Sequence, residues 1–184
     1  MYQIAFTGSP WGGKTTIIKK LAEEGIPVII ESETQLVKGM VHKYGSDGTG
    51  KWILNNYFKF KTMVAERQKV LEQEISNEKI VLYDRTAIDW IAYCNLRNSK
   101  IPPLLEELSI QYKFGQVLFF NMLDGFDERR NQGRIMKKEE AIKLNNLILE
   151  EYKSRGYSIS FIPKMDLNPR IELVKKHIQK YLKV

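Results

Sequence analysis

The nine residues GSPWGGKTT at positions 8–16 constrain the fold of this chain more than any other stretch. The preceding residues YQIAFT have the composition of a β-strand, and the following KTTIIKKLAEEG predicts a helix. Gly8, Gly13, Lys14 and Thr15 fill the four fixed positions of the motif G-x-x-x-x-G-K-[ST], which requires this strand before it and this helix after it. We therefore predict that residues 8–16 form a phosphate-binding loop, the P-loop.

The predicted chemistry of the P-loop follows from its backbone. Glycines let successive N–H groups turn inward around an oxygen anion, and the helix that begins there adds positive potential. We expect Lys14 to reach the β- and γ-phosphates of ATP, and Thr15 to place its hydroxyl on Mg²⁺. Trp11 either covers the acceptor side of the phosphates or packs on a lid, and the sequence does not decide which. The predicted nucleotide-binding residues are Gly8, Ser9, Pro10, Trp11, Gly12, Gly13, Lys14, Thr15 and Thr16.

Apolar strand-length runs alternate with segments of helical period along the whole chain, which is typical of βαβ units and a mostly parallel sheet. Predicted strands are QIAFT, PVII, IVLYD, QVLFFNM at 116–122 and SISFI at 158–162, and predicted helices cover 14–24, 33–43, 53–76, 86–97, 137–154 and 168–182. Residues 44–50 and 123–134 are predicted loops because they are polar and rich in glycine. We expect one domain over residues 1–184, a three-layer α/β fold with five parallel strands.

Polar residues at the predicted strand ends are candidates for the second half of the site, because the carboxyl ends of parallel strands form the ligand crevice. Glu31 follows the second strand and either accepts a proton as general base, binds a ligand hydroxyl, or belongs to a helix start that Ser32 caps. Asp84 ends the third strand and either holds Mg²⁺ through water or caps the next helix. Arg85 offers a planar guanidinium to an acceptor phosphate or carboxylate, or forms a surface salt bridge.

The loop 123–134 carries three arginines, Arg129, Arg130 and Arg134, just after the fourth strand. A mobile loop of this kind can close over ATP and stabilise the transferring phosphoryl group, so we predict a short lid, although ordinary solvated surface is the alternative. Arg134 is the first candidate for catalysis because it follows Gly133 just ahead of the predicted helix, and Arg130 is a candidate for nucleotide binding.

Composition constrains the expected cellular location of the protein but not its substrate. The single cysteine, Cys94, excludes an internal disulfide, and the first residues lack the pattern of a signal peptide, so we expect a cytoplasmic protein. No run approaches the length of a membrane span. The net charge of +7 suits nucleic acid, anionic lipid or small phosphorylated ligands, or simply a lysine-rich surface.

Four stretches together, GSPWGGKTT, the strand end at Glu31, IVLYDRTAIDWIAY and LNNLILEEYKSRGYSISFIP, resemble the small AAA-domain P-loop family that includes the ribosylnicotinamide kinase domain. They are similar, more loosely, to thymidylate and deoxynucleoside kinases. The resemblance implies a sheet in nucleotide-kinase order, Glu31 and Arg85 facing the acceptor, and a lid at 123–134. By the thymidylate kinase pattern, Arg67 would face the substrate or lie on an exposed helix face.

The function that these features favour is transfer of a phosphoryl group from ATP, with Mg²⁺, to a nucleoside, nucleotide or nicotinamide riboside-like acceptor. A nucleotide-binding ATPase or regulator without a small acceptor is the main alternative, and it would be nucleic-acid-associated if Trp52, Tyr57 and Phe58 stack bases. A GTPase is disfavoured because no D-x-x-G follows the third strand, and a motor or ring ATPase would need more chain. A membrane or nucleic-acid partner is not expected, and a homodimer is left open.

Overall fold

The computed structural model describes residues 2–75, 78–111, 113–123 and 136–182. The strands are β1 (Tyr2–Gly8), β2 (Val28–Ile29), β3 (Ile80–Asp84), β4 (Gln116–Phe120) and β5 (Ile159–Ile162). The helices are α1 (Lys14–Glu23), α2 (Ser32–Asn55), α3 (Tyr57–Glu74), α4 (Ala87–Leu96), α5 (Pro103–Gln111), α6 (Lys138–Ser154) and α7 (Leu167–Leu182). All pairings in the sheet are parallel, in the order β2-β3-β1-β4-β5, which confirms the predicted five-stranded parallel sheet.

The strand order places β1 at the centre of the sheet, between β3 and β4. Phe6 pairs with Asp84 and Gly8 pairs with Phe120, so the P-loop leaves the sheet beside the end of β3 and against the end of β4. Because the chain turns in opposite directions on the two sides of β1, a crevice opens at the carboxyl ends of these strands.

Helices cover both faces of the sheet, as the apolar stripes predict. On one face, α1 and α7 pack on the strands through Ile17, Ile18, Leu21, Ile171, Val174 and Ile178. On the other face, α4 and α6 pack through Ile88, Ala92, Leu144, Ile148 and Tyr152. Since alternate strand residues point to opposite faces, Ile4 and Phe6 belong to the first cluster and Ala5 to the second. The result is the three-layer arrangement expected from the sequence.

The region between β2 and β4 differs from the prediction in three places. The predicted helix 53–76 is divided at Asn56, between the end of α2 and the start of α3. Residues 44–50, predicted as a loop, belong to α2, whose backbone breaks only at Gly45 with φ 71° and ψ 167°. The Thr49 hydroxyl donates to the Gly45 carbonyl at 2.7 Å, so the helix resumes at once. The helix α5 was not predicted, and its Leu105 and Leu108 join α2, α3 and α4 in a third apolar cluster. Residues on both sides of 44–50, among them Met40 and Trp52, pack in this cluster, and this packing outweighs the loop-like composition between them.

No helix in the described part of the chain combines the length and apolarity that a bilayer span needs.

Candidate active site

The P-loop runs from the end of β1 to the start of α1, as its motif predicts. Gly8 has φ +107°, and a Cβ placed there would lie 2.5 Å from the carbonyl oxygen of Phe120. Gly13 has φ +77°, and its Cβ would lie 2.9 Å from Nη1 of Arg170. Both glycines are therefore required by the backbone angle and by close packing of the loop on the protein behind it.

Lys14 lies beneath this loop and is 5% exposed. Its ammonium donates to the carbonyl oxygens of Gly8 at 3.2 Å and Ser9 at 2.7 Å. Burial, assisted by the positive charge of Arg85, lowers the pKa of Lys14 to about 7 against the opposing effect of nearby carboxylates. The amine of Lys14 thus lies at the loop, where the negative charge of a bound phosphate would favour its protonated form.

Thr15 and Asp84 meet at the mouth of the loop. The Thr15 hydroxyl donates to Oδ2 of Asp84 at 2.8 Å, while Oδ1 of Asp84 is buried with no hydrogen-bond partner among the described residues. Burial and the negative charge of Glu31 raise the pKa of Asp84 to about 6. Asp84 does not cap a helix, because Thr86 is the N-cap of α4.

The same oxygens fit a magnesium ion. A hydroxyl and an orphaned carboxylate oxygen are hard ligands of the kind Mg²⁺ takes, and Mg²⁺ at phosphate sites uses one or two protein ligands besides phosphates and water. Among the described residues, no cluster of three or more His, Cys, Asp or Glu side chains would bind a metal alone. Thr15 and Asp84 are therefore the residues that would hold the ion together with bound phosphates.

Arg85 is 4% exposed and has a left-handed backbone, with φ +69°. Its backbone N–H donates to the Phe6 carbonyl at 3.1 Å, which extends the pairing of β3 with β1. Its side chain donates from Nε to Glu31 at 2.8 Å and from Nη1 to Asp89 at 3.0 Å and to the Gly8 carbonyl at 3.1 Å. A left-handed non-glycine residue costs about 1–3 kcal/mol and is typical of functional sites. The predicted surface salt bridge is wrong because the guanidinium is buried.

Glu31 occupies the N-cap position of α2, but its carboxylate does not bond the helix backbone. It accepts instead from the Thr34 hydroxyl at 2.6 Å and from Arg85. Burial raises its pKa, but Arg85, Thr34 and Lys14 outweigh that effect and hold the pKa below its usual value. Ser32, the alternative cap, is buried as the first helical residue. Glu31 is therefore an ionised carboxylate directed at the site.

Asp89 anchors Arg85 from behind and is fully buried. One carboxylate oxygen accepts from the Thr7 hydroxyl at 2.6 Å and from Arg85, and the other accepts from the backbone N–H of Thr86 at 3.1 Å and the Tyr152 hydroxyl at 2.8 Å. Sequence analysis gave Asp89 and Tyr152 no role in the site. The spacing of Thr86 and Asp89, which form a capping box at the start of α4, is the local signal that could have marked Asp89.

A cavity of about 490 Å³ joins these groups. Residues of the P-loop line it together with Glu31, Glu33, Thr34 and Tyr93, and Asp84 and Arg85 also line it. Carboxylate, ammonium and guanidinium groups thus surround a space large enough for a small ligand. The structure thus gathers Lys14, Thr15, Glu31, Asp84 and Arg85 in one place, although they come from three separate segments.

Trp11 is 6% exposed and packs against Ala141 of α6, together with Met122 and Met136. Met136 lies two residues after the predicted lid in sequence, and Trp11 and Met136 both line the cavity. Arg129, Arg130 and Arg134 lie outside the described residues, and their roles stay predictions. Arg67 donates to Gln35 at 3.0 Å and is not among the residues that line the cavity.

Arg170 contacts the P-loop and was missed by sequence analysis. It comes from α7, is 2% exposed, and donates from Nη1 to the Gly12 carbonyl at 2.7 Å. Its guanidinium carbon lies 5.0 Å from the centre of the Phe120 ring. Nothing local in the sequence marks this arginine, because its contact spans most of the chain.

The aromatic residues proposed to stack nucleic acid bases are mostly committed to the fold. Trp52 and Tyr57 pack against the third apolar cluster, and the Tyr57 hydroxyl donates to the Tyr93 carbonyl at 3.2 Å. Phe58 is 45% exposed. The fold therefore accounts for Trp52 and Tyr57 without a bound nucleic acid base.

The comparisons with known proteins agree with this geometry. A family model described as AAA domain matches residues 3–170. No curated protein matches the chain by sequence. A structure of deoxyadenosine kinase from M. mycoides with dCMP and dCDP is similar at TM-score 0.67 and 18% identity, covering 97% of this chain and 99% of that one. The same enzyme with dATP gives TM-score 0.67 and 18% identity, at 96% and 99% coverage.

NadR in complex with NR is similar at TM-score 0.68 and 15% identity. The match covers 100% of this chain and 50% of NadR, so the chain spans half the length of that protein. At these identities the similarity establishes the fold, and it confirms the nucleotide-kinase-like arrangement expected from the resemblance.

Proposed function

Because the chain belongs to the AAA domain family, whose model matches residues 3–170, we propose that it is a kinase for a small metabolite. It would transfer the γ-phosphoryl group of ATP to a nucleoside, a nucleotide or a nicotinamide riboside-like acceptor. One observation carries the proposal: Lys14 and Thr15 of the P-loop line the same cavity as an ionised carboxylate, Glu31, that Arg85 holds. A nucleotide-binding protein without an acceptor has no need of that carboxylate.

The donor side of the proposed site is the P-loop. Backbone N–H groups of residues 8–16 and the N-terminus of α1 would surround the phosphates, and Lys14 would leave its carbonyl partners to contact them. Mg²⁺ held near Thr15 and Asp84 would neutralise charge on the phosphates. Arg170 would keep the loop in shape through its bond to Gly12.

Glu31 is the proposed general base on the acceptor side. Its carboxylate would take the proton of the attacking hydroxyl as that oxygen bonds to the γ-phosphorus and the bond to ADP breaks. Arg85 restrains Glu31 through Nε, and its Nη2 makes no hydrogen bond within the described part of the chain. Nη2 is therefore available to the transferring phosphoryl group or to the acceptor.

The choice of acceptors to test comes from the similar structures. Deoxyadenosine kinase is described with dCMP, dCDP and dATP, and NadR is described with NR. A suitable panel holds deoxyadenosine, deoxycytidine, thymidine, their monophosphates and nicotinamide riboside, each with ATP and MgCl₂.

The test measures ADP and phosphorylated acceptor together. We expect at least one acceptor to give equal amounts of both products, only with Mg²⁺, and Lys14→Ala to abolish the reaction. Lys19→Ala, at an exposed position of α1, is the matched control and should behave as the wild type. Slow release of phosphate from ATP at the same rate with every acceptor would contradict a kinase and favour the ATPase or regulator.

A further inference from the structure

Lys61 is fully buried beside the third apolar cluster. The proposed mechanism gives this lysine no role. Its ammonium lies over the rings of Trp90 at 4.6 Å, Tyr93 at 4.7 Å, Tyr57 at 5.3 Å and Phe60 at 5.6 Å. Aromatic faces attract a cation, so these four rings form a cage that stabilises the charge of the lysine. We call this group the aromatic cage.

The carboxylate that pairs with Lys61 is that of Glu33. Glu33 lies near the start of α2, two residues after Glu31, and its side chain remains 26% exposed. A buried ammonium cannot give up its carboxylate partner without a large desolvation penalty. The cage and the ion pair therefore hold the Glu33 carboxylate in one orientation.

Glu33 also lines the cavity of about 490 Å³. Lys61 donates to Oε2 of Glu33, and Oε1 of Glu33 has no hydrogen-bond partner among the described residues. The two glutamates of the cavity thus have different partners, Arg85 for Glu31 and Lys61 for Glu33. Tyr93 links the two pairs, since its ring lies 5.3 Å from the Arg85 guanidinium carbon.

We propose that Glu33 is a specificity-determining residue of the acceptor pocket and that Lys61, held in the aromatic cage, is its positioning residue. Oε1 of Glu33 accepts a hydrogen bond from a hydroxyl or amino group of the acceptor, away from the hydroxyl that is phosphorylated. A carboxylate accepts hydrogen bonds and donates none, so an acceptor without such a donor group binds poorly. The inference rests on the proposed function, because it assumes that a small acceptor binds in this cavity.

The main competing explanation is that the ion pair only stabilises the fold. In that case a variant would change the melting temperature and leave the affinity for the acceptor unchanged. Acceptor affinity, measured apart from turnover, is therefore the property that separates the two explanations.

The first experiment is calorimetric binding of the nucleoside panel, with nicotinamide riboside, to the whole chain without ATP. We expect Glu33→Gln to weaken binding of the best acceptor by about tenfold or more, because a hydrogen bond to a charged group is lost. The affinity of the Glu33→Gln variant for a non-hydrolysable ATP analogue should stay within about twofold of the wild-type value. Glu66→Gln, at an exposed position of α3, is the matched control. Unchanged acceptor affinity in Glu33→Gln overturns the role of Glu33.

The second experiment tests Lys61 through a double-mutant cycle. Lys61→Met keeps the length of the side chain and removes its charge, and we expect weaker acceptor binding with no change for the ATP analogue. In the Glu33→Gln background the same substitution should add less than about twofold, because Lys61 acts through Glu33. Lys59→Met, an exposed lysine of α3, is the control. Independent, multiplying losses overturn the positioning role.

Failure to obtain folded Lys61→Met would not stop the test. Lys61→Gln keeps a donor for Glu33 in a smaller polar side chain, and its acceptor affinity should lie between those of the wild type and Glu33→Gln. An affinity equal to that of the wild type contradicts positioning by the charge.

The outcomes also separate this inference from the proposed kinase activity. If the wild type binds an acceptor and Glu33→Gln weakens it, but no phosphoryl group is transferred, the kinase proposal fails and the acceptor site stands. If transfer occurs and Glu33→Gln leaves the acceptor KM unchanged, the kinase proposal stands and the inference fails. If no member of the panel binds, the inference is overturned.

Discussion

Two buried arginines bond the P-loop from opposite sides, and their surroundings differ. Arg85 donates to the carbonyl of Gly8 and Arg170 donates to the carbonyl of Gly12. Arg85 also contacts the carboxylates of Glu31 and Asp89. Arg170 instead lies on the ring face of Phe120, and its Nε and Nη2 are buried with no hydrogen-bond partner among the described residues.

The two guanidinium groups are therefore stabilised to different degrees. Burial opposes the charge of Arg85, but Tyr93, Glu31 and Asp89 outweigh burial and raise its pKa above the usual value. Burial lowers the pKa of Arg170, with no carboxylate to offset it. The comparison indicates that Arg85 belongs to a balanced set of charges with Glu31 and Asp89, whereas Arg170 supports the loop at an electrostatic cost.

Replacing each arginine separately by methionine tests this difference, and Arg85→Met should have the larger effect. We expect kcat/KM to fall about 10³-fold, since a group near the transferring phosphoryl is lost and Glu31 is released. The free energy of unfolding should fall by about 3 kcal/mol, because breaking a buried ion pair leaves charge uncompensated. Steady-state kinetics and urea unfolding measure the two effects. A loss of less than about tenfold in kcat/KM would show that Arg85 is structural.

Arg170→Met should affect the donor nucleotide alone. The KM for ATP should rise about tenfold because the P-loop loses its bond at Gly12, while the acceptor KM stays constant. The free energy of unfolding should change by less than about 1 kcal/mol, since the substitution also removes two unpaired buried donors. The same two measurements apply. Equal losses of kcat/KM and of stability in Arg85→Met and Arg170→Met would contradict the difference between the two arginines.

Tyr152→Phe tests the support behind Arg85 without touching either arginine. The Tyr152 hydroxyl donates to Asp89, and its removal leaves that carboxylate one hydrogen bond short in a fully buried place. We expect the free energy of unfolding to fall by about 1–2 kcal/mol, with a smaller loss of turnover than in Arg85→Met. Tyr44→Phe, at an exposed position of α2, is the control. Wild-type stability in Tyr152→Phe would contradict a supporting role.

The pKa of Lys14 gives the smallest expected effect. Because burial and Arg85 lower this pKa to about 7, the free amine is largely neutral at about pH 8, and bound phosphate should recharge it. Binding of an ATP analogue should therefore take up nearly one proton, and affinity should fall as pH rises through this range. Calorimetry in two buffers of different ionisation enthalpy counts the proton.

The arginine pair sharpens this measurement. Arg85→Met removes a charge that lowers the pKa of Lys14, so the proton uptake should decrease, and Arg170→Met should leave it unchanged. Equal uptake in the wild type and in Arg85→Met would show that Arg85 does not act on Lys14.

The sequence predicted those parts of the site that local patterns encode. The P-loop spacing defines Lys14 and Thr15, and strand ends defined Glu31, Asp84 and Arg85, because parallel strands bring their carboxyl ends together. Partners that come from distant elements were missed. Tyr152 bonds Asp89 across 63 positions, and Arg170 bonds Gly12 across 158 positions, so no spacing rule relates them.

The fold shows the same division between local and long-range information. The apolar stripes of α1, α4, α6 and α7 predicted both faces of the sheet, since each stripe follows a local period. The glycines of residues 44–50 favoured a loop, but packing of α2 on the third cluster keeps the chain helical on both sides of Gly45. Lys61 appears in sequence as an ordinary surface lysine, and only the fold brings four aromatic rings around it.

The most direct test of the account is the effect of Glu31→Gln on phosphoryl transfer. Using the acceptor found in the panel, single-turnover formation of its phosphate should fall about 10³-fold, because the amide cannot take the proton. Affinity for an ATP analogue should stay within about twofold, and exposed Glu74→Gln should match the wild type. Transfer at the wild-type rate in Glu31→Gln would contradict the account, as would a loss of nucleotide affinity as large as the loss of transfer.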